Sequence, residues 1–181
     1  SRLDYQKGID LVQAITPWLL SNDVQLVMLG SGAAEYEGFF RYIERRWPLQ
    51  ARGWVGFSEP LAHQIEAASD VFLMPSRFEP CGLNQLYSMR YGTVPVVHAT
   101  GGLADTVISA DTGRDDATGW SFRPHSTDAF GRSVQAALYT MRRFPKAFQR
   151  IRDNGMRRDS SWNRSAASYE AVYRAVGRMV G

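Results

Sequence analysis

The chain has 181 residues, of which 44% are hydrophobic and 22% charged, and its formal net charge at pH 7 is +3. This length allows one domain with a hydrophobic core, and the composition is that of a globular protein. The small net charge gives no reason to expect nucleic acid as a partner. No segment approaches the roughly 18 consecutive apolar residues that span a bilayer. The single cysteine cannot form an internal disulfide.

Helical and strand patterns alternate along the chain. Helices are predicted where apolar residues recur every three or four positions, and buried parallel strands where a short apolar run is continuous. In chain order we predict a helix over residues 8–20, a strand over 24–29, a helix over 34–47, a strand over 53–57, a helix over 59–68, a strand over 71–74, a helix over 83–91, strands over 94–97 and 120–122, and helices over 127–142, 146–155 and 163–179.

This alternation predicts an α/β fold, with a Rossmann-like parallel sheet covered by helices on both faces. Ligands of such sheets bind beyond the carboxyl ends of the strands. Gly30, Phe57, Pro75 and His98 all lie at predicted strand ends. We therefore expect a binding cleft at this edge of the sheet.

The segment from Pro75 to Val107 reads PSRFEPCGLNQLYSMRYGTVPVVHATGGLADTV. It places Glu79 and the turn at Cys81 and Gly82 before one predicted helix, and a second glycine turn, 100–102, beyond the next strand. The amino end of a helix binds anions such as a diphosphate, because its amides are unpaired and its dipole is positive there. A carboxylate beside such a site would repel phosphate, so we interpret Glu79 as a partner for hydroxyl groups of a sugar attached to the phosphate.

Arg2 and Lys7 lie in the opening motif, SRLDYQKG, just before the first predicted helix. Two cations at this spacing can reach one anionic group from two sides, Arg with a planar fork and Lys with a point charge. Taken alone, two exposed cations near a terminus are more often surface residues than ligands. Because the chain opens inside this motif rather than before a strand, we expect it to be a fragment of a longer protein.

These three motifs, SRLDYQKG, SRFEPCGLNQLYSMRYGT and TGGLADTV, resemble the donor-site signature of family 5 glycosyltransferases, the starch synthases and bacterial glycogen synthases. The resemblance implies a retaining glucosyltransferase of the GT-B fold that moves glucose from ADP-glucose to the non-reducing end of an α-1,4-glucan such as starch, amylopectin or glycogen. It implies no cofactor and no metal, and the histidines show no metal-ligand spacing. It also implies that residues 1–181 are the C-terminal, donor-binding domain and that an N-terminal acceptor domain lies elsewhere.

The same resemblance assigns roles to individual residues. Arg2 and Lys7 correspond to the cations that contact the donor's phosphates and stabilise the departing ADP, and with Glu79 they form the implied catalytic set. Phe57 lies at the position of an adenine-stacking aromatic, although a phenylalanine is more often a core residue. Within the donor site, Gly82 and Leu83 are implied to supply amides to the phosphates and Asn84 a side-chain contact, while the backbone of Gly30, in a Gly-Ser-Gly turn, packs on the donor. The full set of implied donor-binding residues is Arg2, Lys7, Gly30, Phe57, Glu79, Cys81, Gly82, Leu83, Asn84, Tyr87, Thr100, Gly101 and Gly102.

Position 87 separates this chain from related retaining transferases that use the motif E-x7-E. Here the second glutamate is replaced by Tyr87, with Gln85 before it, as in the starch and glycogen synthase pattern EPCGLxQLY. A paired acid and base of the glycosidase type is therefore absent, and Glu79 is interpreted as a partner of the sugar hydroxyls and the oxocarbenium centre. Cys81 has no histidine or second cysteine near it in sequence, so a modifiable thiol shielded by substrate is favoured over a catalytic one.

Two other functions stay open. One is another nucleotide-sugar enzyme of the same architecture, such as a family 4 transferase or an epimerase, which Tyr87 and Gln85 disfavour. The other is a non-catalytic nucleotide- or glucan-binding module. The segments WVGFSEPLAHQI and NQLYSMRYG look closer to plastid starch synthases of plants and algae, which implies the chloroplast stroma, the amyloplast or the starch granule, or the cytoplasm if the protein is bacterial.

The last predicted helix and the three histidines each have an expected location that the structure can test. Ala166, Tyr169, Tyr173 and Val176 form an apolar stripe on the last predicted helix. Such a stripe is usually core packing, whereas the resemblance implies that this helix crosses to the other domain and is partly exposed. Among the histidines, His63 is expected to be structural or partly exposed, His98 is a candidate for lining the cleft, and His125 is expected to lie on a loop surface.

Overall fold

The structure is a computed structural model that describes residues 1–180. These residues form six β-strands and eight α-helices. The strands are β1 (Arg2–Leu3), β2 (Leu26–Gly32), β3 (Ala51–Val55), β4 (Val71–Met74), β5 (Val94–His98) and β6 (Trp120–Phe122). The helices are α1 (Ile9–Ser21), α2 (Ala34–Arg46), α3 (Glu59–Ala68), α4 (Asn84–Tyr91), α5 (Gly101–Thr106), α6 (Thr127–Arg143), α7 (Pro145–Arg157) and α8 (Trp162–Val180).

Local sequence signals determine where several helices begin and end. The hydroxyl of Ser58 caps α3 by accepting a hydrogen bond from the Leu61 amide, at 3.3 Å. Ser126 caps α6 in the same way. At the other end of α4, Gly92 adopts a left-handed conformation and closes the helix. These caps explain why the predicted and observed helices agree closely in both regions.

Several predicted segments differ from the structure. The strand predicted over 53–57 lies at Ala51–Val55, and β1, inside the opening motif, was not predicted. Gly30-Ser31-Gly32, predicted as a turn, belongs to β2, because β1 pairs with it in parallel, Leu3 opposite Gly32. A Cβ on Gly30 would lie 2.4 Å from the Ser1 carbonyl oxygen, so this close strand approach by itself requires glycine. The second glycine turn opens a short helix, α5, which the sequence reasoning missed because two consecutive glycines are poor helix formers.

The strands form two parallel three-stranded sheets, in the orders β1-β2-β3 and β4-β5-β6. The predicted α/β fold with parallel strands is confirmed, but one sheet was expected. Within residues 1–180 no ladder joins β4 to β1, a strand of two residues that pairs with β2. The segments that follow these two strands nevertheless meet, because the Arg77 amide donates to the Gln6 carbonyl oxygen at 2.8 Å.

Apolar side chains are buried on both faces of β5. Val96 belongs to the large core, which includes residues of both sheets and of α1, α2, α6 and α7. Its neighbour Val97 belongs to a smaller core with Met74, Leu103 and Val107. Successive residues of a strand point to opposite faces, so helices cover the sheet on both sides as predicted.

Helix α8 presents its apolar stripe to solvent. All of its side chains that the structure describes are exposed, and Tyr169, Tyr173 and Val176 are each more than half exposed. The expectation of core packing is therefore wrong for this helix, whereas partial exposure, which the resemblance implied, is observed. Within residues 1–180 no helix has the length and apolar character needed to cross a membrane.

Candidate functional site

Lys7 and Glu79 come together at the carboxyl ends of β1 and β4. Lys7 closes a short 3-10 helix after β1, and the carboxylate of Asp4 caps this turn by accepting from the Lys7 amide at 3.1 Å. Glu79 lies in the loop after β4 and is buried, with 8% of its surface exposed. The Lys7 Nζ atom lies 2.6 Å from Glu79 Oε2, which also accepts a hydrogen bond from the Ser76 hydroxyl at 3.1 Å.

Arg77 joins the same two segments by a second set of contacts. Its guanidinium donates to both carboxylate oxygens of Asp10, at 2.8 and 2.7 Å, and to the Tyr5 carbonyl oxygen at 2.7 Å. It also lies over the Tyr5 ring, 3.5 Å from the centroid. The hydrogen bond from Arg77 holds the pKa of the Asp10 carboxyl below its usual value. Sequence reasoning did not single out Arg77 or Asp10, although Arg77 lies inside the recognised motif.

The glycines of α5 lie directly behind the Glu79 loop. The Gly102 amide donates to the Glu79 carbonyl oxygen at 3.0 Å. A Cβ on Gly101 would lie 2.3 Å from that same oxygen, and one on Gly102 would lie 1.8 Å from the Cys81 carbonyl oxygen. Thr100 is the N-cap residue of this helix. The predicted donor residues 100–102 therefore support the loop that carries Glu79.

The amino end of α4 faces the turn at Gly82, as predicted, with Leu83 at the N-cap position. Gln85 is fully buried and shapes this turn, since its side-chain amide donates to the Gly82 carbonyl at 2.9 Å and to the Thr106 hydroxyl at 3.0 Å. Cys81 is exposed, and Leu83 is half exposed. The first amides of a helix have no intrahelical acceptor, so this turn offers unpaired donors to an anion.

Asn84 and Tyr87 make their observed contacts with α3. The Asn84 side-chain amide donates to Glu66 Oε1 at 3.0 Å. The Tyr87 ring lies 6.2 Å from the ring of His63, whose Nδ1 atom lies 3.3 Å from the Tyr91 hydroxyl. His63 is thus partly buried on a helix, as expected. The proposed phosphate contact of Asn84 would have to be made alongside its bond to Glu66.

Arg2, in β1, and Phe57, two residues after β3, are both exposed. The Arg2 guanidinium is 3.6 Å from the Asp4 carboxylate and 76% exposed. Phe57 follows β3 and is 87% exposed, so it is not the core aromatic that a phenylalanine usually is. A ring so exposed at the carboxyl end of a parallel strand is available to stack on a planar ligand.

Two histidines hold the backbone just before Glu79. His98 Nδ1 lies 2.8 Å from the Ser76 carbonyl oxygen, and His125 Nε2 lies 2.8 Å from the Pro75 carbonyl oxygen. Their rings are 4.8 Å apart. Burial lowers the pKa of His98 and the nearby His125 lowers it further, against the hydrogen bond to Ser76, which raises it. The expectation that His125 lies on a plain loop surface is wrong, because it packs against β5 and the loop after β4.

These groups can bind a polar, anionic ligand with a hydroxylated part. Lys7 and the amides at α4 provide positive charge, and Glu79 provides a hydroxyl acceptor only a few ångströms away. In the part of the chain that the structure describes, no three His, Cys, Asp or Glu side chains are grouped closely enough to hold a metal ion.

Known proteins resemble the chain along nearly its whole length. Residues 1–155 match the family model described as glycosyl transferases group 1. The chain is 50% identical over 179 residues to starch synthase 1, chloroplastic/amyloplastic, of Arabidopsis thaliana, covering 97% of this chain and 28% of that protein. It is 53% identical over 176 residues to the glycogen synthase of Anaeromyxobacter dehalogenans, covering 97% of this chain and 36% of that protein.

A solved structure also resembles the chain along nearly its whole length. The chain superposes on the catalytic domain of starch synthase IV from Arabidopsis thaliana, bound to ADP and acarbose, with a TM-score of 0.87 and 33% identity. This match covers 97% of the present chain and 37% of that chain. The chain thus spans between 28% and 37% of the length of these similar proteins.

Proposed function

Because the chain belongs to the group 1 glycosyltransferases, we propose that it is the donor-binding part of a starch or glycogen synthase. The reaction proposed is the retaining transfer of glucose from ADP-glucose to the non-reducing end of an α-1,4-glucan. Identity of 50% to a plant starch synthase and 53% to a bacterial glycogen synthase supports this function over more distant transferases.

The observation that carries the proposal is the contact between Lys7 and Glu79. These residues come from two motifs 72 positions apart, and Nζ lies 2.6 Å from Oε2 at the expected cleft. A sugar attached to a diphosphate presents anionic oxygens and hydroxyl groups within a few ångströms of each other. A cation and a carboxylate in contact suit this ligand, since donor binding exchanges one ion pair for a phosphate contact and a hydroxyl contact.

In this mechanism the bond from the glucose anomeric carbon to the β-phosphate oxygen breaks, and ADP leaves with the electron pair. The hydroxyl at the non-reducing end of the acceptor forms the new bond to the anomeric carbon, and its proton passes to the departing phosphate. Lys7, Arg2 and the amides at α4 stabilise the negative charge that grows on ADP. Glu79 accepts hydrogen bonds from sugar hydroxyls, and its negative charge stabilises the positive charge that develops on the ring. Position 87 holds Tyr, so no second carboxylate of an E-x7-E pair stands on α4.

We propose that Phe57 stacks on the adenine. Its ring is 87% exposed at the end of β3, where it lies free of the core. The similar starch synthase IV structure was solved with ADP, which is consistent with an adenine nucleotide. A phenyl ring stacks on any base, so selection of ADP over UDP requires other contacts.

The partners proposed are the glucan acceptor and an N-terminal domain. The exposed stripe of α8, which includes Tyr169, Tyr173 and Val176, is the surface proposed to contact that domain. Large exposed apolar side chains grouped on one helix face are typical of an interface. The plant relatives are described as chloroplastic/amyloplastic, so a plastid location is proposed for a plant or algal protein, in the stroma or on the starch granule, and the cytoplasm for a bacterial one.

Substitution of Glu79 and Lys7 tests this function in a full-length enzyme that contains the chain. We expect Glu79→Gln to lower kcat by about 100-fold or more, as for an interaction used mainly in the transition state, while ADP affinity stays equal or rises because Lys7 loses its competing partner. Lys7→Ala should weaken ADP binding about 10- to 150-fold, the range expected for hydrogen bonds to charged groups, and slow transfer as well. The measurements are ADP titration calorimetry and transfer of labelled glucose from ADP-glucose to glycogen.

Lys146→Ala is the matched control, since Lys146 is an exposed lysine in the first turn of α7 and lies outside the candidate site. It should leave both measurements unchanged. A binding module would bind ADP and transfer nothing, and an epimerase would alter the sugar without extending the glucan. Loss of ADP binding in Glu79→Gln would contradict the assignment of Glu79 to the sugar.

A further inference from the structure

We propose that Arg77 is a positioning residue that holds Lys7 and Glu79 in register, with Asp10 and Tyr5 as its anchors. This inference rests on the proposed function, because it concerns the geometry of the same site. Arg77 stands two residues before Glu79, and its guanidinium contacts Tyr5 and Asp10, in the segment that carries Lys7.

The contacts of Arg77 form a bracket, defined here as Tyr5, Gln6 and Asp10 on one side and Arg77 and Phe78 on the other. Two side-chain nitrogens of Arg77 bind the two oxygens of Asp10, at 2.8 and 2.7 Å, and one of them also binds the Tyr5 carbonyl. The Arg77 amide binds the Gln6 carbonyl at 2.8 Å, and the Gln6 side chain returns a hydrogen bond to the Phe78 carbonyl at 2.8 Å.

The bracket lies next to Lys7 in one segment and next to Glu79 in the other. Lys7 lies between Gln6 and Asp10 along the chain, and Glu79 directly follows Phe78. The two segments come from different sheets, and no strand ladder joins β1 to β4 within residues 1–180. Their relative position must therefore be held by side-chain and loop contacts, of which the bracket supplies five hydrogen bonds.

A guanidinium is suited to this task, and an ammonium is not. The planar fork of Arg77 reaches both Asp10 oxygens and a carbonyl at once while its face covers the Tyr5 ring. A lysine would keep the charge but offer one point contact. The bracket thus fixes an orientation as well as a distance, which is what transfer chemistry requires, since misplacement by about 1 Å can cost about 100-fold in rate.

The test measures kcat, KM and ADP affinity in a full-length enzyme that contains the chain, for Arg77→Gln, Arg77→Lys and Asp10→Asn. We expect kcat to fall about 100-fold in Arg77→Gln, with ADP affinity changed less than about threefold, because neither Arg77 nor Asp10 is among the proposed donor-binding residues. Arg77→Lys should recover only part of the rate. The double variant Arg77→Gln with Asp10→Asn should be no slower than the worse single one, because the two residues act as a unit.

Arg152→Gln is the matched control. Arg152 also pairs with an aspartate, Asp70, at 2.9 Å, and lies over an aromatic ring, that of Phe148, but at a distance from the site. It should lower the melting temperature and leave kcat unchanged. A kcat within twofold of the parent in folded Arg77→Gln and Asp10→Asn would overturn the inference. If Arg77→Gln does not fold, Arg77→Lys and Asp10→Asn decide by the same criterion.

A second measurement does not depend on activity. In the 181-residue chain, a double-mutant cycle with Lys7→Met and Glu79→Gln measures how strongly these residues stabilise each other against unfolding. The cycle is then repeated in the Arg77→Gln chain. Coupling that is lost without Arg77 supports the positioning role, and unchanged coupling overturns it. An unmutated enzyme without transfer activity would refute the proposed function, and this cycle would still decide the inference.

Discussion

At the scale of single residues, the site depends on ionisable groups held close to carbonyls and to each other. Glu79 is buried between Lys7 and Ser76, and His98 and His125 hold the two carbonyls that precede Arg77. A buried carboxylate is tolerated only when it is paired, so the ion pair with Lys7 also explains how Glu79 can be kept within the fold.

His98 should make the stability of the chain depend on pH. Its pKa in the folded chain is lowered by burial, with His125 and Arg123 also lowering it, below the ordinary value of about 6.5. The unfolded chain therefore binds a proton at this histidine more readily, so the contribution of His98 to the free energy of unfolding should be constant above pH about 6.5 and fall as the pH drops towards the folded pKa. Thermal unfolding of the parent between pH 5 and 8 measures this slope.

His98→Asn is the informative variant, because an asparagine amide can replace Nδ1 as the donor to the Ser76 carbonyl oxygen. Its stability should decline less steeply below pH about 6.5 than that of the parent. Equal slopes in the two proteins would show that another group controls acid stability.

At the scale of elements, the candidate site is formed by glycine-containing segments at the amino ends of two short helices, α4 and α5. Helix α5 is only six residues long, and its first residues are pressed against the loop between Glu79 and Cys81. The loop and the helix therefore form one packed unit, in which the loop's backbone position depends on the absence of a Cβ.

Gly102→Ala should disturb this unit. The added Cβ would lie 1.8 Å from the Cys81 carbonyl oxygen, which is backbone and cannot rotate away. We expect a loss of about 1–3 kcal/mol in the free energy of unfolding, the usual cost of overpacking, and weaker ADP binding because the turn before α4 shifts. Denaturant unfolding and ADP titration measure the two effects.

Gly38→Ala provides the control for this prediction. Gly38 lies on the exposed side of α2, and a Cβ there meets no atom within 4 Å. This substitution should stabilise the chain by up to about 1 kcal/mol, because alanine is the better helix former. If Gly102→Ala lowered neither the free energy of unfolding nor the affinity for ADP, the position of the loop would not depend on its packing against α5.

At the scale of the whole molecule, the candidate donor site and the exposed stripe of α8 are built from separate segments of the chain. Lys7, Glu79 and the α4 turn lie at the carboxyl ends of the strands, whereas α8 carries its apolar stripe in solvent. The chain also covers only 28% of the length of the plant starch synthase that it resembles. We propose that the acceptor side of the cleft comes from the rest of such a protein.

The 181-residue chain alone should therefore bind ADP but transfer very little glucose. Transfer requires donor and acceptor to be held in reacting geometry, and the loss of that positioning lowers rates by orders of magnitude. The test incubates the purified chain with labelled ADP-glucose and glycogen. Turnover of roughly 1 per second or more, which is typical of enzymes, would contradict the division of the site between two domains.

Local patterns in the sequence determined most of the architecture. Continuous apolar runs such as 71–74, helical periodicity and the caps at Ser58 and Ser126 are read within a few residues, so strands, helices and the parallel α/β fold were predicted. The motifs likewise led to the prediction of a nucleotide-sugar site, in which the role of Glu79 follows from its place before a helix and the role of Lys7 follows from the family resemblance.

Only the tertiary structure decided which distant residues meet. The pairing of Arg77 with Asp10 joins positions 67 apart, and that of His125 with Pro75 joins positions 50 apart. The exposure of α8 and the separation of the strands into two sheets are also decided by long-range packing. The physical reason is the same in each case: side-chain chemistry limits what a residue can bind, but the course of the whole backbone determines which partner comes within reach.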